Sequence, residues 1–177
     1  MTNFIETELT ESLKGLPTRT TQFGRFDKGL AYTILMKYYM HEKNWAKAEE
    51  CGRELLKAEY GYGLMDRYAD IFTLENEGNK EIIFACTEER GTNLQLWHDH
   101  ALPGNYPTKN ASIQKWDGYK VPWPFYRTFE EGDDRLSVLV GEYVGTDGVL
   151  FNEESDIAKH GNLYSGAVPV KYGEDPE

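Results

Sequence analysis

Residues 27–56 read DKGLAYTILMKYYMHEKNWAKAEECGRELL, and two helical patterns follow each other in this stretch across one short turn. Over residues 27–41 the apolar side chains recur at the spacing of one helix face, and Asp27 is a residue type that caps helix starts. A second pattern covers residues 45–60, with Asn44 as its N-cap. The predicted inward positions are Leu30, Ile34, Leu35, Tyr38 and Tyr39 in the first helix, and Trp45, Ala48, Cys51, Leu55 and Leu56 in the second. The stretch therefore predicts a helix pair over 27–60.

The turn between the two helices, HEKN, is so short that the helices must pack antiparallel, and the pair resembles one tetratricopeptide unit. Such units bury their apolar faces on neighbouring units and need about three copies for stability. We find no second copy in the sequence. We therefore expect the pair to lack a partner or a flank.

The segments on either side of the helix pair are less regular. Residues 1–22 are polar, rich in Thr and Glu, and contain Pro17, so they predict a tail or linker with a short helical stretch at most. Residues 64–72, LMDRYADIF, predict a short helix. The β-branched run EIIFACT at residues 81–87 has the length and composition of a strand.

The second half of the chain, within the segment 23–177, combines a long loop with a hairpin. Residues 88–124 have little periodicity but hold three Trp and two Tyr, which predicts an ordered, aromatic-rich loop. Residues 124–132 predict a short helix with Phe125, Tyr126 and Phe129 inward. Residues 136–151 predict a β-hairpin whose Asp-Gly favours a tight primed turn, and no periodic signal follows. The fold class is α+β, mostly helical: a tetratricopeptide-like helix pair with an irregular loop layer and a β-hairpin.

Composition and charge narrow the possible partners. The formal net charge of -11 argues against a nucleic-acid partner, because a polyanion would be repelled. Aromatic residues make up 14% of the chain, more than a small core needs, and such rings also serve as platforms for flat ligands, interfaces and sugars. Composition alone does not decide among these uses.

Two further features concern the compartment. Cys51 and Cys86 lie in apolar contexts and outside any CxxC pair, so we expect two buried thiols. The N-terminal residues lack the basic and apolar regions of a signal peptide, and no run of about 18 apolar residues could cross a bilayer. We expect either a cytoplasmic protein or one whose exporting segment has been cut away.

Four stretches, in this order, resemble the SusD/RagB family. They are residues 24–56 (GRFDKGLAYTILMKYYMHEKNWAKAEECGRELL), 61–84 (GYGLMDRYADIFTLENEGNKEIIF), 129–136 (FEEGDDRL) and 168–173 (VPVKYG). Each stretch alone is too common in proteins to indicate a family, and the resemblance rests on their joint order and spacing. Family members are much longer and begin with a signal peptide and a lipid-carrying Cys. The chain is therefore expected to correspond to an internal fragment of such a protein.

The resemblance implies a function that composition does not show. Members of the family are non-catalytic glycan-binding lipoproteins on the cell-surface side of the bacterial outer membrane, and they deliver oligosaccharides to a TonB-dependent transporter. A glycan and that transporter are therefore the expected partners. The alternative is a helical-repeat module for protein–protein interaction. A glycoside hydrolase comes third, since it would need two carboxylates facing each other across a cleft.

Three aromatic residues of the 88–124 loop are the candidate ligand-binding residues: Trp97, Trp116 and Tyr119. Their loop resembles the part of the family that contributes ligand-contacting aromatics, and sugar C–H faces stack on such rings. The alternative is that each ring anchors its own loop on the helices. Trp123 is assigned to packing.

The charged residues are weaker candidates for a functional site than the three aromatic residues. The run His98-Asp99-His100 has metal-ligand chemistry, but a structural zinc site needs four ligands, so hydrogen bonding to a sugar or to the loop backbone is preferred. Asp133, Asp134 and Arg135 follow a Gly-terminated helix and predict a structural Asp–Arg pair rather than a catalytic dyad. The sequence holds no recognised catalytic motif and predicts no cofactor and no metal.

Overall fold

The computed structural model describes residues 2–22, 24–88, 96–159 and 161–172. The chain divides into two units. The helical unit comprises Met1–Met65 and Gly78–Glu89, and the mixed unit comprises Asp66–Glu77 and Arg90–Glu177. Residues 89–95 of the aromatic-rich loop lie outside the described residues.

Three α-helices form the helical unit: α1 is Thr2–Ser12, α2 is Lys28–His41 and α3 is Trp45–Leu55. The caps lie where the sequence predicts them. Asp27 Oδ1 accepts a hydrogen bond from the Leu30 amide at 3.0 Å, and Asn44 Oδ1 accepts one from the Lys47 amide at 3.3 Å. A 3₁₀ turn at Ala58–Tyr60 follows α3. The tetratricopeptide-like helix pair is confirmed.

A small apolar core lies between α2 and α3. Its buried members are Leu35, Tyr39, Ala48 and Cys51. Glu6 of α1 connects to both helices, because its Oε1 accepts hydrogen bonds from the Tyr39 hydroxyl at 2.9 Å and from Lys47 Nζ at 2.6 Å. Burial, and then the hydrogen bond to Glu6, raise the pKa of the Tyr39 hydroxyl, so this donor keeps its proton further into the alkaline range than an exposed tyrosine does.

The α1 helix differs from the tail or linker that residues 1–22 predict. It is eleven residues long, and Leu9 together with the following Leu13 packs against the core of the helix pair. Leu9 and Leu13 are four residues apart, the spacing of one helix face, which brings both side chains to the core. The other large apolar residues of α1, Phe4 and Ile5, are exposed.

Ile34, Trp45 and Leu56 are exposed, which makes three of the predicted inward positions wrong; Ile34 keeps 40% of its surface accessible. Trp45 keeps 62% of its surface accessible and Leu56 keeps 83%. Trp45 is the first residue of α3, beside the turn where α2 has already ended, and Leu56 follows the last residue of α3. Spacing identifies a helix face but not where the partner helix stops covering it.

Residues 81–87 form no strand, contrary to the sequence prediction. The strands of the described chain all belong to the mixed unit, so this run has no strand edge to pair with in its own unit. It is held instead by side chains, as the rings of Phe84 and Phe26 lie 5.6 Å apart. Cys86 is exposed, and only Cys51 is the buried thiol that we expected.

We expect Asp27→Ala to lower the free energy of unfolding by about 1–2 kcal/mol. Asp27 is only 3% exposed, and its carboxylate accepts hydrogen bonds from the amides of Leu30 and, at 3.2 Å, Thr20. Denaturant unfolding followed by far-UV circular dichroism measures the loss. The matched control is Asn44→Ala at the exposed cap of α3, for which we expect about 0.5 kcal/mol. Equal losses in the two variants would contradict this assignment.

The mixed unit arranges short helices around small antiparallel sheets. Its helices are α4 (Trp97–Ala101), α5 (Trp123–Tyr126) and α6 (Glu153–Lys159), with 3₁₀ turns at Ala69–Phe72, Leu74–Asn76 and Asp134–Val138. Its strands are β1 (Val121–Pro122), β2 (Leu139–Val140), β3 (Glu142–Val144), β4 (Leu150–Asn152) and β5 (Gly166–Pro169). In the three-stranded sheet β5 lies between β1 and β2. The mostly helical α+β class is confirmed.

The core of the mixed unit forms around β5. Its buried members are Ala101, Leu102, Trp123, Tyr143, Leu163, Ala167 and Val168. The Trp123 indole N–H donates to the Leu163 carbonyl at 2.9 Å, so the packing role predicted for Trp123 is confirmed. Phe125 is 57% exposed, so its predicted inward position is wrong. The helix α5 ends after one turn and therefore cannot present a continuous apolar face.

The hairpin consists of β3 and β4, which pair Val144 with Leu150, and it is shorter than residues 136–151. Residues 139–140 pair with β5 instead. The predicted primed turn does not form. The Gly148 amide donates to the Gly145 carbonyl at 2.9 Å, and among residues 145–148 only Gly148, at the end of the turn, has a left-handed φ, of 77°. A primed turn needs a positive φ at one or both central residues. A longer loop with a glycine in this conformation follows the strand twist equally well. Among the described residues, no helix has the length and apolar character to cross a bilayer.

Candidate functional site

Four rings of the mixed unit are in contact with one another, and we call this cluster the aromatic platform. Its members are Trp97, His100, Trp116 and Tyr119. Trp97 and Tyr119 have ring centroids 5.4 Å apart, His100 stacks on Tyr119 at 5.1 Å, and His100 meets Trp116 edge-on at 4.7 Å. The structure therefore brings all three candidate aromatic residues into one cluster: Trp97 and Tyr119 meet directly, and His100 connects Trp116 to Tyr119.

The short helix α4 supplies Trp97 and His100. Trp97 packs against the core of the unit, and its indole N–H donates to the Pro169 carbonyl at 3.0 Å. His98 bonds through Nε2 to the Tyr172 carbonyl at 2.8 Å. The buried Asp99 accepts a hydrogen bond from the Gln114 amide at 2.8 Å. Asp99 thus binds the backbone of its own loop, one of the two outcomes that the sequence predicts for this run, whereas His98 binds backbone outside the 88–124 loop.

A turn at residues 114–119 supplies the other two rings. Its backbone is fixed to α4: the Asp117 amide donates to the Leu102 carbonyl at 3.0 Å, and the Tyr119 amide donates to the His100 carbonyl at 2.8 Å. The Trp116 amide donates to the Asp99 carbonyl. This part of the loop is irregular in shape but is held at several points along its length.

The backbone on both sides of Trp116 is strained. Lys115 and Asp117 have φ values of 55° and 56°, a left-handed conformation that costs a non-glycine residue about 1–2 kcal/mol. Side chains help to hold these conformations, because Lys115 Nζ donates to the Tyr106 carbonyl at 2.8 Å and Lys120 forms an ion pair with Asp117. Such strain persists only where the surroundings impose it, and it often accompanies functional positions.

Exposure separates the rings into two kinds. Trp116 is 50% exposed and Tyr119 is 45% exposed, although both are large and held in place. Trp97 is only partly exposed and supports the core. The platform therefore offers two accessible ring surfaces to a ligand and one anchoring ring beneath the cluster.

Further rings extend the cluster beyond the candidates. The rings of Trp97 and Tyr172 lie 5.7 Å apart, and those of Tyr172 and Phe72 also lie 5.7 Å apart. Lys171 Nζ lies 4.1 Å from the centre of the Phe72 ring, which gives a cation–π contact. Sequence analysis did not single out Tyr172 or Phe72, because they are far from the 88–124 loop in sequence. His100 was considered only for its metal-binding and hydrogen-bonding atoms.

The charged candidates form structural pairs. Arg135 Nη2 lies 2.6 Å from Asp133 Oδ2, and the Arg135 guanidinium holds the pKa of Asp133 down to about 2. A carboxyl group that is ionised over the whole physiological range does not serve as a general acid. The structural Asp–Arg pair is confirmed. In the described part of the chain, no group of three or more His, Cys, Asp or Glu side chains is placed to hold a metal ion.

Solved structures resemble the chain, whereas no protein-family model and no curated protein matches it. Surface glycan-binding protein A from Bacteroides thetaiotaomicron, solved in complex with laminarihexaose, matches 96% of the chain with a TM-score of 0.66 and 19% identity. A SusD superfamily protein from Bacteroides fragilis matches 94% with a TM-score of 0.64 and 16% identity. A SusD-like protein from the same species matches 75% with a TM-score of 0.59 and 22% identity.

The chain spans 41%, 39% and 27% of the lengths of these three proteins, in the same order. At such identities the likeness establishes the fold. The SusD-like fold expected from the four sequence stretches is therefore confirmed.

Proposed function

From the fold that the chain shares with SusD superfamily proteins, we propose that this protein binds a glycan on the aromatic platform. The observation that carries the proposal is the contact of Trp97 with Tyr119 and of both Tyr119 and Trp116 with His100, with Trp116 and Tyr119 about half exposed. A contiguous group of exposed apolar rings is typical of a binding surface, whereas single exposed rings are ordinary.

The chemistry of the platform suits a neutral sugar. A pyranose ring presents apolar C–H groups on its faces, and these pack on the faces of Trp and Tyr rings. Its hydroxyl groups need hydrogen-bond partners, and the exposed residues Tyr119 and Gln114, both in the turn at 114–119, carry a hydroxyl and an amide of the required kind. Because the rings are already held, little side-chain entropy is lost on binding.

An oligosaccharide fits the platform better than a single sugar. His100 separates the two exposed rings, with centroid distances of 4.7 Å to Trp116 and 5.1 Å to Tyr119. We therefore expect a ligand that covers both rings to extend over more than one sugar unit. The presence of laminarihexaose in a protein of the same fold supports this ligand class.

The finer parts of the function rest on the same resemblance. We place the protein on the cell-surface side of the bacterial outer membrane, with a TonB-dependent transporter as the partner that receives the oligosaccharide. We also assign it a non-catalytic role, which the ionised Asp133 paired with Arg135 supports.

A titration with glycans tests the proposal. The folded chain is mixed with a panel of neutral, acidic and amino-sugar oligosaccharides that includes laminarihexaose, and intrinsic Trp fluorescence is recorded. We expect a saturable change with one class of neutral oligosaccharide, in the micromolar to millimolar range. Two stacked rings and a few hydrogen bonds contribute only about 1 kcal/mol each. If a chain shown to be folded responds to no member of the panel, the proposal fails.

The alternative function, a helical-repeat interaction module, has an observation of its own. The helical unit exposes the large apolar side chains of Trp45 at 62%, Met40 at 49% and Phe4 at 67%, and side chains of this kind are the ones that contact a protein partner. A negative glycan panel would make this function the leading one.

A further inference from the structure

His100 touches both exposed rings of the aromatic platform. Its imidazole stacks on Tyr119 with an interplanar angle of 28° and meets Trp116 edge-on at 71°. Tyr119 also meets Trp97, whereas His100 is the ring partner of Trp116 in this cluster. The His100 ring is therefore placed to orient Trp116 relative to the platform.

The main chain of His100 fixes the same turn. Its carbonyl oxygen accepts hydrogen bonds from the amides of Gly118 at 2.6 Å and Tyr119 at 2.8 Å. A side chain at position 118 would bring a Cβ atom to 3.2 Å from that oxygen, so the turn approaches His100 closely. The backbone of His100 thus positions the turn, and its ring lies between the two side chains that the turn presents.

The backbone of Trp116 is held by its hydrogen bond to the Asp99 carbonyl and by the left-handed residues on either side, but these contacts do not fix the rotamer of the side chain. A half-exposed ring without a neighbour samples several rotamers, and a ligand would have to select one of them.

We propose that His100 is a positioning residue of the aromatic platform, whose ring holds Trp116 and Tyr119 in the arrangement that binds the glycan. The inference rests on the proposed function for its effect on affinity. The ordering of the two rings in the unliganded protein stands independently of that function. The imidazole acts here as a flat ring, and neither a metal ligand nor a proton donor is required of it.

Two variants separate the ring from the hydrogen-bonding atoms of His100. His100→Ala removes the ring, whereas His100→Phe keeps a flat ring and removes both nitrogens, and both variants retain the backbone carbonyl. The protein is labelled with 5-fluorotryptophan, and the ¹⁹F resonance of Trp116 is assigned with Trp116→Phe. His41→Ala is the matched control, since this histidine is exposed on α2 in the helical unit.

We expect His100→Ala to shift or broaden the Trp116 resonance without ligand and to weaken the affinity for the glycan about tenfold. His100→Phe should restore most of both properties, and His41→Ala should change neither. An unchanged Trp116 resonance in His100→Ala would overturn the proposal, as would unchanged affinity in a protein whose wild type binds. If the wild type binds no glycan, the proposed function fails and the ¹⁹F comparison still decides whether His100 positions the rings.

Discussion

Gly166→Ala is expected to destabilise the mixed unit by at least about 3 kcal/mol, the largest effect on folding that we predict. A Cβ atom at position 166 would lie 2.0 Å from the Val121 carbonyl oxygen and 2.5 Å from its carbon. These are backbone atoms of β1, which pairs with β5 at Pro122 and Gly166, so they cannot move aside without loss of the pairing. The strand at risk carries Ala167 and Val168, two fully buried residues of the core.

Denaturant unfolding followed by near-UV circular dichroism measures this effect, because the buried Trp123 reports on the mixed unit. The matched control is Gly104→Ala in the same unit. A Cβ atom at position 104 meets nothing within 4 Å, so we expect a change of less than about 1 kcal/mol. Comparable midpoints for the two variants would show that the β1–β5 pairing is not needed for the stability of this unit.

Replacing both exposed rings of the platform should have the largest effect on binding. We expect the double variant Trp116→Ala, Tyr119→Ala to weaken the affinity for the glycan about 30- to 100-fold, which corresponds to about 1–1.5 kcal/mol for each stacked ring. Because both side chains are about half exposed, its free energy of unfolding should change by no more than about 1 kcal/mol. Isothermal titration calorimetry and denaturant unfolding measure the two quantities separately.

Phe125→Ala is the control for this experiment. Phe125 is a 57% exposed aromatic residue of the same unit, and its recorded ring partner is Phe129 rather than a member of the platform. It should leave glycan affinity unchanged.

Trp97→Ala should behave differently from both, since Trp97 packs against the core and donates to Pro169, so we expect it to lower stability as well as affinity. Equal glycan affinity in the double variant and the wild type would show that the platform is not part of the binding site.

The helices could be predicted well from the sequence where residues close to each other in the chain determine their ends. Asp27 and Asn44 cap α2 and α3 as expected, because a cap depends on residues only three positions away. The errors lie where a non-local partner decides the outcome. Trp45 has the spacing of a core residue but lies where α2 has ended, and residues 81–87 have strand composition but no strand to pair with.

The central strand β5 was missed for the same reason. Residues 166–169 are apolar, but the run is short and ends at Pro169, so it shows no alternation that a sequence pattern would detect. Its strand character comes from pairing with β1 on one side and β2 on the other. Only the folded chain brings these two segments to it.

The candidate site could be predicted in part. Resemblance pointed to Trp97, Trp116 and Tyr119 in one loop, but their mutual contact depends on hydrogen bonds between α4 and the turn at 114–119. Those bonds join backbone atoms about 15–20 residues apart in an irregular segment, which no periodicity encodes. The role proposed for His100 rests on the contacts of its ring with Trp116 and Tyr119, which only the folded chain brings together.

The most direct test of glycan binding at the platform is a ¹H–¹⁵N NMR titration that follows the four Trp indole N–H resonances. The protein carries its own controls, because Trp45 is 62% exposed but lies in the helical unit and Trp123 is 6% exposed in the core. Upon saturation with the bound oligosaccharide, we predict that the Trp116 resonance moves most and the Trp97 resonance less. Trp45 and Trp123 should keep their positions. A saturable shift of Trp45 with Trp116 unchanged would contradict the account and place the binding surface on the helical unit.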